Sequence, residues 1–287
     1  MKKEPSVMIF IPLYHPPKEF FSKTIPLLKE QTIKSEIFLI SSSTLEDHQN
    51  LSNCKLKTID KSAFCHSNTR NSVLDYEVDY YLFLTQDVTP DDDKLIQNLL
   101  DPFEDQTIIL SYARQIPLSD AVPSEKFARS VNYPENSSAK SLEDLPRLGI
   151  KTFFSSNSCA IYRGDYFRKV GGFAPDLHAS EDMEFAARAV MQGYKIHYNA
   201  NAKVHHSHNY TFKSLYIRYR AIGHFFYQNR WILDTINQYS NISSTGATFA
   251  LQELKHIFSK HPFHLPRSIL QIFIKYIAYN FGLKGYK

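Results

Sequence analysis

The sequence predicts an α/β fold with a mostly parallel sheet flanked by helices, and two patterns support this prediction. Short apolar runs alternate with helical segments up to about residue 206, as in proteins whose parallel strands are joined by crossover helices. The run Tyr80–Leu84 is continuous and apolar, which is typical of a strand buried on both faces of a sheet. Thr85, Gln86 and Asp87 follow directly, at the strand end where such sheets bind ligands.

Each predicted element has a local reason. Strands are expected where apolar, β-branched or aromatic residues cluster, at residues 7–13, 37–40, 55–59, 80–84, 108–113, 195–198 and 202–206. Helices are expected where the apolar residues recur with helical spacing, at residues 18–31, 69–74, 94–100 and 181–192. Ser180 is expected as the N-cap of the last helix and Gly193 as its end. The long polar segment 117–146 is expected to be a lid-like loop, and 152–162 resumes apolar character.

Composition narrows the class of protein. The chain has 287 residues, of which 43% are hydrophobic and 22% charged, as in ordinary globular domains. A net charge of +4 without a basic stripe between aromatic residues argues against a nucleic-acid partner. Three cysteines without metal spacing indicate free thiols in a reducing compartment. The first apolar run is short and contains Pro12, so a first strand is expected there rather than a signal peptide.

The C-terminal quarter has a different pattern. From about residue 211, apolar and aromatic side chains alternate with Lys and Arg, and the tail 265–287 is similar. We therefore predict a catalytic domain over residues 1–212 and an amphipathic helical region over 213–287. A basic amphipathic surface suits an anionic membrane, and it suits a helical cap or a homodimer interface equally well.

Four polar groups offer chemistry, and each also has a purely structural interpretation. Asp87 is suited to holding a divalent cation or to capping a turn. The acids of the run 180–184 suit a general base, which a helix N-terminus would keep ionised by lowering its pKa, or dipole complementation alone. The histidines of 205–208 suit metal binding or solvation. The run 64–71 places Arg and Asn at a helix start, for phosphate binding or capping.

The order of these groups resembles that of the inverting family 2 glycosyltransferases with the GT-A fold, and in particular the bacterial rhamnosyltransferase subgroup. The resemblance runs from about residue 7 to residue 226. The matching motifs, in chain order, are Ile11-Pro12-Leu13-Tyr14, Phe64…His66…Thr69-Arg70-Asn71, Leu84-Thr85-Gln86-Asp87, Arg114-Gln115, Asn132-Tyr133-Pro134, Phe154-Ser155-Ser156-Asn157, Gly171-Gly172-Phe173, Glu181-Asp182-Met183 and His206-Ser207-His208-Asn209-Tyr210. The Phe-x-His…Thr-Arg-Asn block together with Thr-Gln-Asp is what indicates rhamnose.

The resemblance implies a role for each matching residue. Asp182 takes the position of the base that activates the acceptor, with Glu181 beside it. Asp87 takes the position of the last acid of the DxD motif, and His206, with His208 as the alternative, completes the site for Mg²⁺ or Mn²⁺. The donor-binding residues implied are Pro12, Tyr14, His66, Arg70, Asn71, Gln86, Asp87, Arg114 and Asn157.

The chain departs from the family pattern at two places that concern the donor. Thr85 stands where the first acid of DxD is usual, so the metal would have fewer protein ligands. Ser41, Ser42 and Ser43 stand where family members usually carry an Asp that contacts the nucleoside.

The expected function is inverting transfer of L-rhamnose from dTDP-L-rhamnose to a lipid-linked or growing cell-surface polysaccharide, in the cytoplasm, with or without contact to the inner face of the membrane. One alternative is the same fold with a UDP-hexose or UDP-N-acetylhexosamine donor. Another is a non-catalytic glycan-binding subunit. The joint presence of Asp87 and Asp182 argues against the latter, since a binding protein needs no base.

Overall fold

One mixed sheet with helices on its faces forms the centre of the molecule. The computed structural model describes residues 4–43, 51, 53–239 and 245–285. The strands in this part of the chain are β1 (Val7–Leu13), β2 (Ser35–Ser41), β3 (Cys54–Thr58), β4 (Tyr80–Leu84), β5 (Thr89–Pro90), β6 (Ile108–Ile116), β7 (Ser138–Lys140), β8 (Cys159–Arg163) and β9 (Lys195–His205). The helices are α1 (Ile25–Lys29), α2 (His66–Asn71), α3 (Leu95–Leu100), α4 (Pro123–Asn132), α5 (Leu145–Leu148), α6 (Gly164–Lys169), α7 (Glu181–Met191), α8 (Phe212–Gln228), α9 (Arg230–Tyr239), α10 (Thr245–Lys260) and α11 (Leu265–Gly282).

The strand order brings the carboxyl ends of most strands to one edge of the sheet. The order is β3-β2-β1-β4-β8-β6-β9-β5, with β7 paired to β9. β1 is parallel to β2 and β4, and β6 is parallel to β9. β8 lies antiparallel between β4 and β6, so β1, β4, β6 and β9 all point the same way. The predicted α/β class is therefore confirmed, with a parallel first half and an antiparallel strand inserted in the second.

Two apolar layers cover the sheet, one on each face. Residues of β1 and β4 contribute alternately to the two layers, because successive side chains of a strand point to opposite faces. One layer is aromatic and includes Phe10, Phe83 and Phe185. The other is mainly aliphatic and includes Ile9 and Leu82. Burial on both faces explains why the apolar runs of the sequence are continuous rather than alternating.

Several predicted elements differ in their bounds. The segment 18–31 forms a π-helical turn, Phe20–Thr24, followed by the short α1 rather than one helix. Residues 195–205 form the single strand β9, because a register shift opposite Ala113 and Arg114 absorbs the polar residues between the two predicted strands. Ser180 precedes α7 in the left-handed conformation, and its side chain makes no capping hydrogen bond.

The segment 117–146 is not the lid-like loop expected from its polar sequence. It contains α4, β7 and a turn closed by a reciprocal Ser141–Asp144 capping box. Val122 N–H donates to Asn209 Oδ1 at 3.0 Å, and Tyr198 Oη donates to the Pro134 carbonyl at 2.6 Å. These bonds fasten the segment to the strand β9 and the residues that follow it.

The C-terminal helices pack on the rest of the protein. α11 lies along α8 so closely that a Cβ atom added to Gly282 would lie 2.1 Å from the Arg220 carbonyl oxygen. α10 contacts α4 through Phe127 and Phe249, whose ring centroids are 5.5 Å apart. In the described part of the chain, no helix is long and apolar enough to cross a membrane. The last two residues of the predicted tail, 286 and 287, lie outside the described residues.

Candidate active site

A cavity of about 360 Å³ opens at the carboxyl edge of the sheet. The end of β1, the end of β4 and the residues after β9 meet there, because these strands run in the same direction. The residues that line it are Pro12, Leu13, Tyr14, Phe64, His66, Arg70, Thr85, Gln86, Asp87, Ser158, His206, His208 and Arg218. The cavity therefore brings together eight of the side chains singled out in the sequence.

Asp87, His206 and His208 form a compact group of metal-ligand type. One ligand atom from each lies within 4.8 Å of the others. Asp87 Oδ2 is 3.3 Å from His206 Nε2 and 3.5 Å from His208 Nε2. Burial, and then the neighbouring His206, lowers the pKa of His208 to about 4. Burial would raise the pKa of Asp87, but its hydrogen bond to His206 and the charge of His206 outweigh this and hold the pKa below its usual range.

Gln115 fixes the orientation of the His206 ring. Arg129 Nη1 donates to Gln115 Oε1 at 2.5 Å, and Gln115 Nε2 donates to Ser156 Oγ at 2.9 Å. Because an arginine can only donate, the amide atom that faces Arg129 is the oxygen. His206 Nδ1 lies 2.8 Å from the same oxygen, so Nδ1 carries a proton and donates. In the neutral ring, Nε2 then presents its lone pair toward Asp87.

Arg70 lines the cavity, but its charge is engaged by a buried acid. Arg70 Nη1 lies 3.2 Å from Glu181 Oε1 and donates to the His66 carbonyl at 3.1 Å. Asn157 Nδ2 donates to the same Glu181 oxygen at 2.9 Å. Burial would raise the pKa of Glu181, but the charges of Arg70 and His66 outweigh it and hold the pKa below its usual range. Arg70 thus lines the cavity as the ion-pair partner of Glu181.

Asp182 lies at the start of α7 and is partly exposed. Its Oδ2 accepts the Asn157 backbone N–H at 2.9 Å, and its Oδ1 accepts the Met183 N–H at 2.8 Å. It does not line the cavity, although Ser158, next to Asn157, does. Burial, and then the charge of Glu181, raises the pKa of Asp182 to about 6. The expectation that the helix N-terminus lowers this pKa is therefore wrong, because burial and Glu181 outweigh the two backbone hydrogen bonds.

Tyr14 and Gln86 join the ends of β1 and β4. The Tyr14 N–H donates to Gln86 Oε1 at 2.8 Å, and Gln86 Nε2 donates back to the Tyr14 carbonyl at 2.9 Å. This pairing holds the exposed Tyr14 ring at the cavity, where Lys61 Nζ donates to its hydroxyl at 2.6 Å. Pro12, two residues earlier in β1, also lines the cavity.

Three predicted donor-binding residues do not line the cavity. Asn157 is one of them, because its side chain donates to Glu181 and accepts from the Tyr162 hydroxyl at 2.7 Å. Asn71 is engaged by the loop after α6, where its Oδ1 accepts the Phe173 N–H at 2.9 Å and its Nδ2 donates to the Phe173 carbonyl at 2.8 Å. Arg114 points instead to Glu135, with 3.1 Å between Nη2 and Oε1. In this conformation Asn71 positions a turn and Arg114 forms an exposed ion pair.

Arg218 lines the cavity and was not singled out by the motifs. It comes from α8, in the region that the sequence sets apart from the catalytic domain. Its guanidinium lies 5.6 Å from the centroid of the Tyr210 ring. Among the described residues, no carboxylate lies within ion-pair distance of it. Its charge is therefore available to a ligand.

The fold and this cavity define a class of protein. The strand ends carry an acid–histidine group, a helix start beside them carries a Glu-Asp pair, and two arginines line the cavity. This is the arrangement expected of a GT-A glycosyltransferase. Comparisons with known proteins agree. A family model described as "Glycosyl transferase family group 2" matches residues 146–279.

Two curated relatives match nearly the whole chain. The O-antigen chain rhamnosyltransferase WbaN of Salmonella anatum is 34% identical over 284 residues, which cover 97% of this chain and 89% of the relative. The O-antigen chain rhamnosyltransferase RfbN of Salmonella typhimurium is 34% identical over 283 residues, covering 96% and 89%. The chain belongs to the family 2 glycosyltransferases, in the group that includes these rhamnosyltransferases, and it is a glycosyltransferase.

Solved structures share the fold at low sequence identity. A mannosyltransferase from Pyrobaculum calidifontis, in complex with GDP-Man and Mn²⁺, superposes with a TM-score of 0.63 at 12% identity, over 97% of this chain and 88% of that one. TarS 1-349 from S. aureus, in complex with UDP, has a TM-score of 0.54 at 13% identity, over 98% and 91%. The predicted GT-A fold is thus confirmed.

Proposed function

We propose that this protein transfers L-rhamnose from dTDP-L-rhamnose to a lipid-linked or growing cell-surface polysaccharide. The observation that carries the proposal is the 34% identity to two O-antigen chain rhamnosyltransferases over nearly the full chain. The cavity supports it, because it offers an exposed aromatic ring, Tyr14, and free positive charge from Arg218, as a nucleoside diphosphate requires.

The proposed reaction is one displacement at the anomeric carbon with inversion. The acceptor oxygen forms the new bond to this carbon while the bond to the diphosphate oxygen breaks, and the diphosphate leaves with the electron pair. Asp182 accepts the proton of the acceptor hydroxyl. Its raised pKa supports this role, because a base with a pKa of about 6 is both ionised and basic near neutral pH.

The Asp87–His206–His208 group fits a divalent cation. Gln115 makes His206 Nδ1 a donor, so in the neutral ring Nε2 faces the Asp87 carboxylate at 3.3 Å with its lone pair. Two acceptors at this distance repel each other unless a proton or a cation lies between them. One oxygen and two imidazole nitrogens favour Mn²⁺ over Mg²⁺, which prefers oxygen ligands. When bound, such an ion neutralises the charge of a diphosphate.

Arg218 is proposed as the main protein contact of the donor diphosphate. Arg70 lines the same cavity but faces Glu181 at 3.2 Å, whereas Arg218 has no carboxylate partner in the described part of the chain. A guanidinium suits phosphate because its fork of N–H donors matches two phosphate oxygens. This assignment makes α8 part of the donor site.

A donor panel tests the substrate. The purified chain is incubated with Mn²⁺ and, separately, with dTDP-L-rhamnose, UDP-glucose, UDP-N-acetylglucosamine and GDP-mannose, and release of the nucleoside diphosphate is measured with lipid-linked acceptors. Turnover with dTDP-L-rhamnose far above the other donors is expected. Preference for a UDP donor would show that the transferred sugar is not rhamnose. Nucleotide binding without turnover of any donor would indicate a glycan-binding subunit.

Replacement of Asp182 tests the base. Asp182→Asn should lower kcat at least about a hundredfold, because a positioned general base contributes roughly 10²–10⁴-fold. Binding of dTDP, measured by calorimetry, should stay within about twofold of the wild type, since Asp182 does not line the donor cavity. Asp93→Asn, an exposed acid beyond β5, is the matched control and should leave both quantities unchanged. Normal turnover in Asp182→Asn would remove this residue as the base.

A further inference from the structure

The apolar and polar faces of the helix α11 are exchanged relative to those of an ordinary surface helix. Its fully buried residues are Ser268, Gln271, Ala278 and Gly282, which are small or polar. Its exposed face carries Ile269, Phe273, Tyr276 and Phe281 instead. In a surface helix of a globular protein the apolar stripe faces the core and the polar residues face water. In α11 the apolar stripe faces outward. It is therefore available to bind a partner or a surface outside the chain.

The exposed apolar residues form one face. Ile269, Phe273 and Tyr276 are spaced by four and three residues, which places them on the same side of a helix. Immediately before α11, Phe263 lies in the turn Pro262–His264 and is 98% exposed. A fully exposed phenylalanine at a turn is unfavourable in water and favourable where an apolar phase can receive it. We refer to Phe263 and the exposed face of α11 as the C-terminal apolar face.

The exposed charges of α10, α11 and the residues that join and follow them have one sign. Between residues 245 and 285 the chain carries five cationic side chains and one acid. The acid, Glu253, is buried and lies 3.4 Å from Lys275 Nζ. The four remaining cations are exposed and have no carboxylate within ion-pair distance in the described residues; they are Lys255, Lys260, Arg267 and Lys284. The region therefore offers apolar side chains and unpaired positive charge together.

We propose that the C-terminal apolar face binds the surface of an anionic lipid bilayer, with Phe263 and Phe273 entering the headgroup boundary and the four lysine and arginine side chains contacting lipid phosphates. Apolar burial combined with attraction to anionic lipid is how interfacial helices bind membranes. A second copy of the chain fits this face less well. A two-fold dimer through this face would oppose the same unpaired cations from each copy, and residues 245–285 contain no exposed acid to match them.

The proposal is tested by flotation of the full chain with vesicles. The chain is expected to bind vesicles of equal parts phosphatidylcholine and phosphatidylglycerol. It is not expected to bind vesicles that contain only phosphatidylcholine. The double variant Phe263→Ser with Phe273→Ser should bind at least about tenfold more weakly, because each buried phenylalanine contributes around tenfold or more. Lys255→Gln with Lys260→Gln should weaken binding about fivefold for each charge removed.

Two residues of β3, the strand at one edge of the sheet, provide matched controls. Leu56→Ser and Lys57→Gln remove an exposed apolar side chain and an exposed cation from β3, and both should float as the wild type does. Thermal melting checks that the variants are folded, and donor hydrolysis in solution should be unchanged, since Phe263 and Phe273 lie outside the cavity.

Three results would overturn the proposal. The first is no dependence of flotation on phosphatidylglycerol. The second is unchanged flotation of the folded phenylalanine double variant. The third is a dimer of the wild type, measured by light scattering, that the double variant converts to a monomer, because the face would then be a contact between copies. None of these results bears on the sugar donor, so they are distinct from a failure of the rhamnosyltransferase proposal.

Discussion

Glu181 and Asp182 are neighbours in the sequence but lie in opposite electrostatic surroundings. Glu181 faces Arg70 at 3.2 Å and accepts from Asn157, and the pKa of Glu181 lies below its usual range. Asp182 has no ion pair in the described part of the chain, and burial with the adjacent charge raises the pKa of Asp182 to about 6. Two carboxylates with pKa values pushed apart are the arrangement in which one is structural and the other exchanges protons.

The separation of these pKa values predicts a pH dependence. A base must be deprotonated to act, so kcat/KM should be at its plateau above about pH 6 and should fall about tenfold per pH unit below it. Glu181→Gln removes a negative charge that raises the pKa of Asp182, so the acid limb should move to lower pH. Rate profiles of the two proteins, with the exposed Glu143→Gln as control, provide the measurement. A limb that does not move in Glu181→Gln would contradict the assignment.

The contact between Gln115 and His206 predicts an effect on metal binding. Its amide oxygen holds His206 Nδ1 as a donor, so that Nε2 is available to a metal. Gln115→Leu should weaken Mn²⁺ binding roughly 10–100-fold, the usual cost of losing such an orienting partner. Electron paramagnetic resonance of free Mn²⁺ measures this without any turnover, and Gln97→Leu on the exposed side of α3 is the control. Gln115→Glu, which keeps the acceptor oxygen, should restore affinity; if it does not, the oxygen is not what orients the ring.

Residues that belong to strand ends could be found from the sequence, and residues that reach the cavity through packing could not. Asp87 and His206 follow closely after buried strands that run in the same direction, so the carboxyl ends of these strands bring both residues to one edge of the sheet. Arg218 arrives on a helix that carries no readable motif, and Gln115 acts only because Arg129 of α4 fixes its amide. These contacts join segments whose mutual position no local pattern encodes.

At the level of elements, α8 and α11 are coupled by a pair of glycines. A Cβ atom at Gly223 would lie 2.1 Å from the Tyr279 carbonyl oxygen, and one at Gly282 equally close to that of Arg220. Small residues allow this approach of two backbones, and the buried face of α11 has few large apolar side chains to hold it otherwise. Since α8 also carries Arg218, the contact positions part of the cavity wall.

Gly282→Ala should therefore destabilise the fold, and another glycine provides the control. Backbone atoms would have to move to admit the methyl group at residue 282, so a loss of about 1–3 kcal/mol in the free energy of unfolding is expected. Gly246 lies in α10 with nothing within 4 Å of an added Cβ, and Gly246→Ala should be neutral or stabilise by up to about 1 kcal/mol. Urea unfolding measures both. Equal stability of the two variants would contradict the close packing of α8 and α11.

Strands and helices were predicted correctly where the local apolar pattern determines their bounds. The prediction failed where contacts with distant segments determine the structure. The bounds of β1 and β4 coincide with the predicted runs, because both strands are apolar throughout and end at polar turns. The direction of β8 is not encoded in its apolar pattern, since a buried strand reads alike in both directions. The segment 117–146 was wrongly expected to be a loop because its ordering hydrogen bonds are made to residues after β9, far along the chain.

At the level of the whole molecule, the cavity joins parts of the chain that are far apart in the sequence. Tyr14 follows β1, Asp87 follows β4, His206 follows β9, and Arg218 lies on α8. A ligand that contacts all four can bind only when these elements are folded together. Binding therefore stabilises the entire fold and not only the donor site.

This coupling predicts a ligand-dependent melting temperature. At a hundredfold excess over its Kd, dTDP with Mn²⁺ should add about 2.7 kcal/mol to the free energy of unfolding, which raises Tm by roughly 4–5 °C for a chain of 287 residues. UDP and GDP at the same concentration should raise Tm less if the donor is dTDP-L-rhamnose. Arg218→Gln should remove most of the shift, whereas Lys213→Gln, an exposed cation on the same helix, should retain it. Full stabilisation of Arg218→Gln by dTDP would show that α8 does not contact the nucleotide.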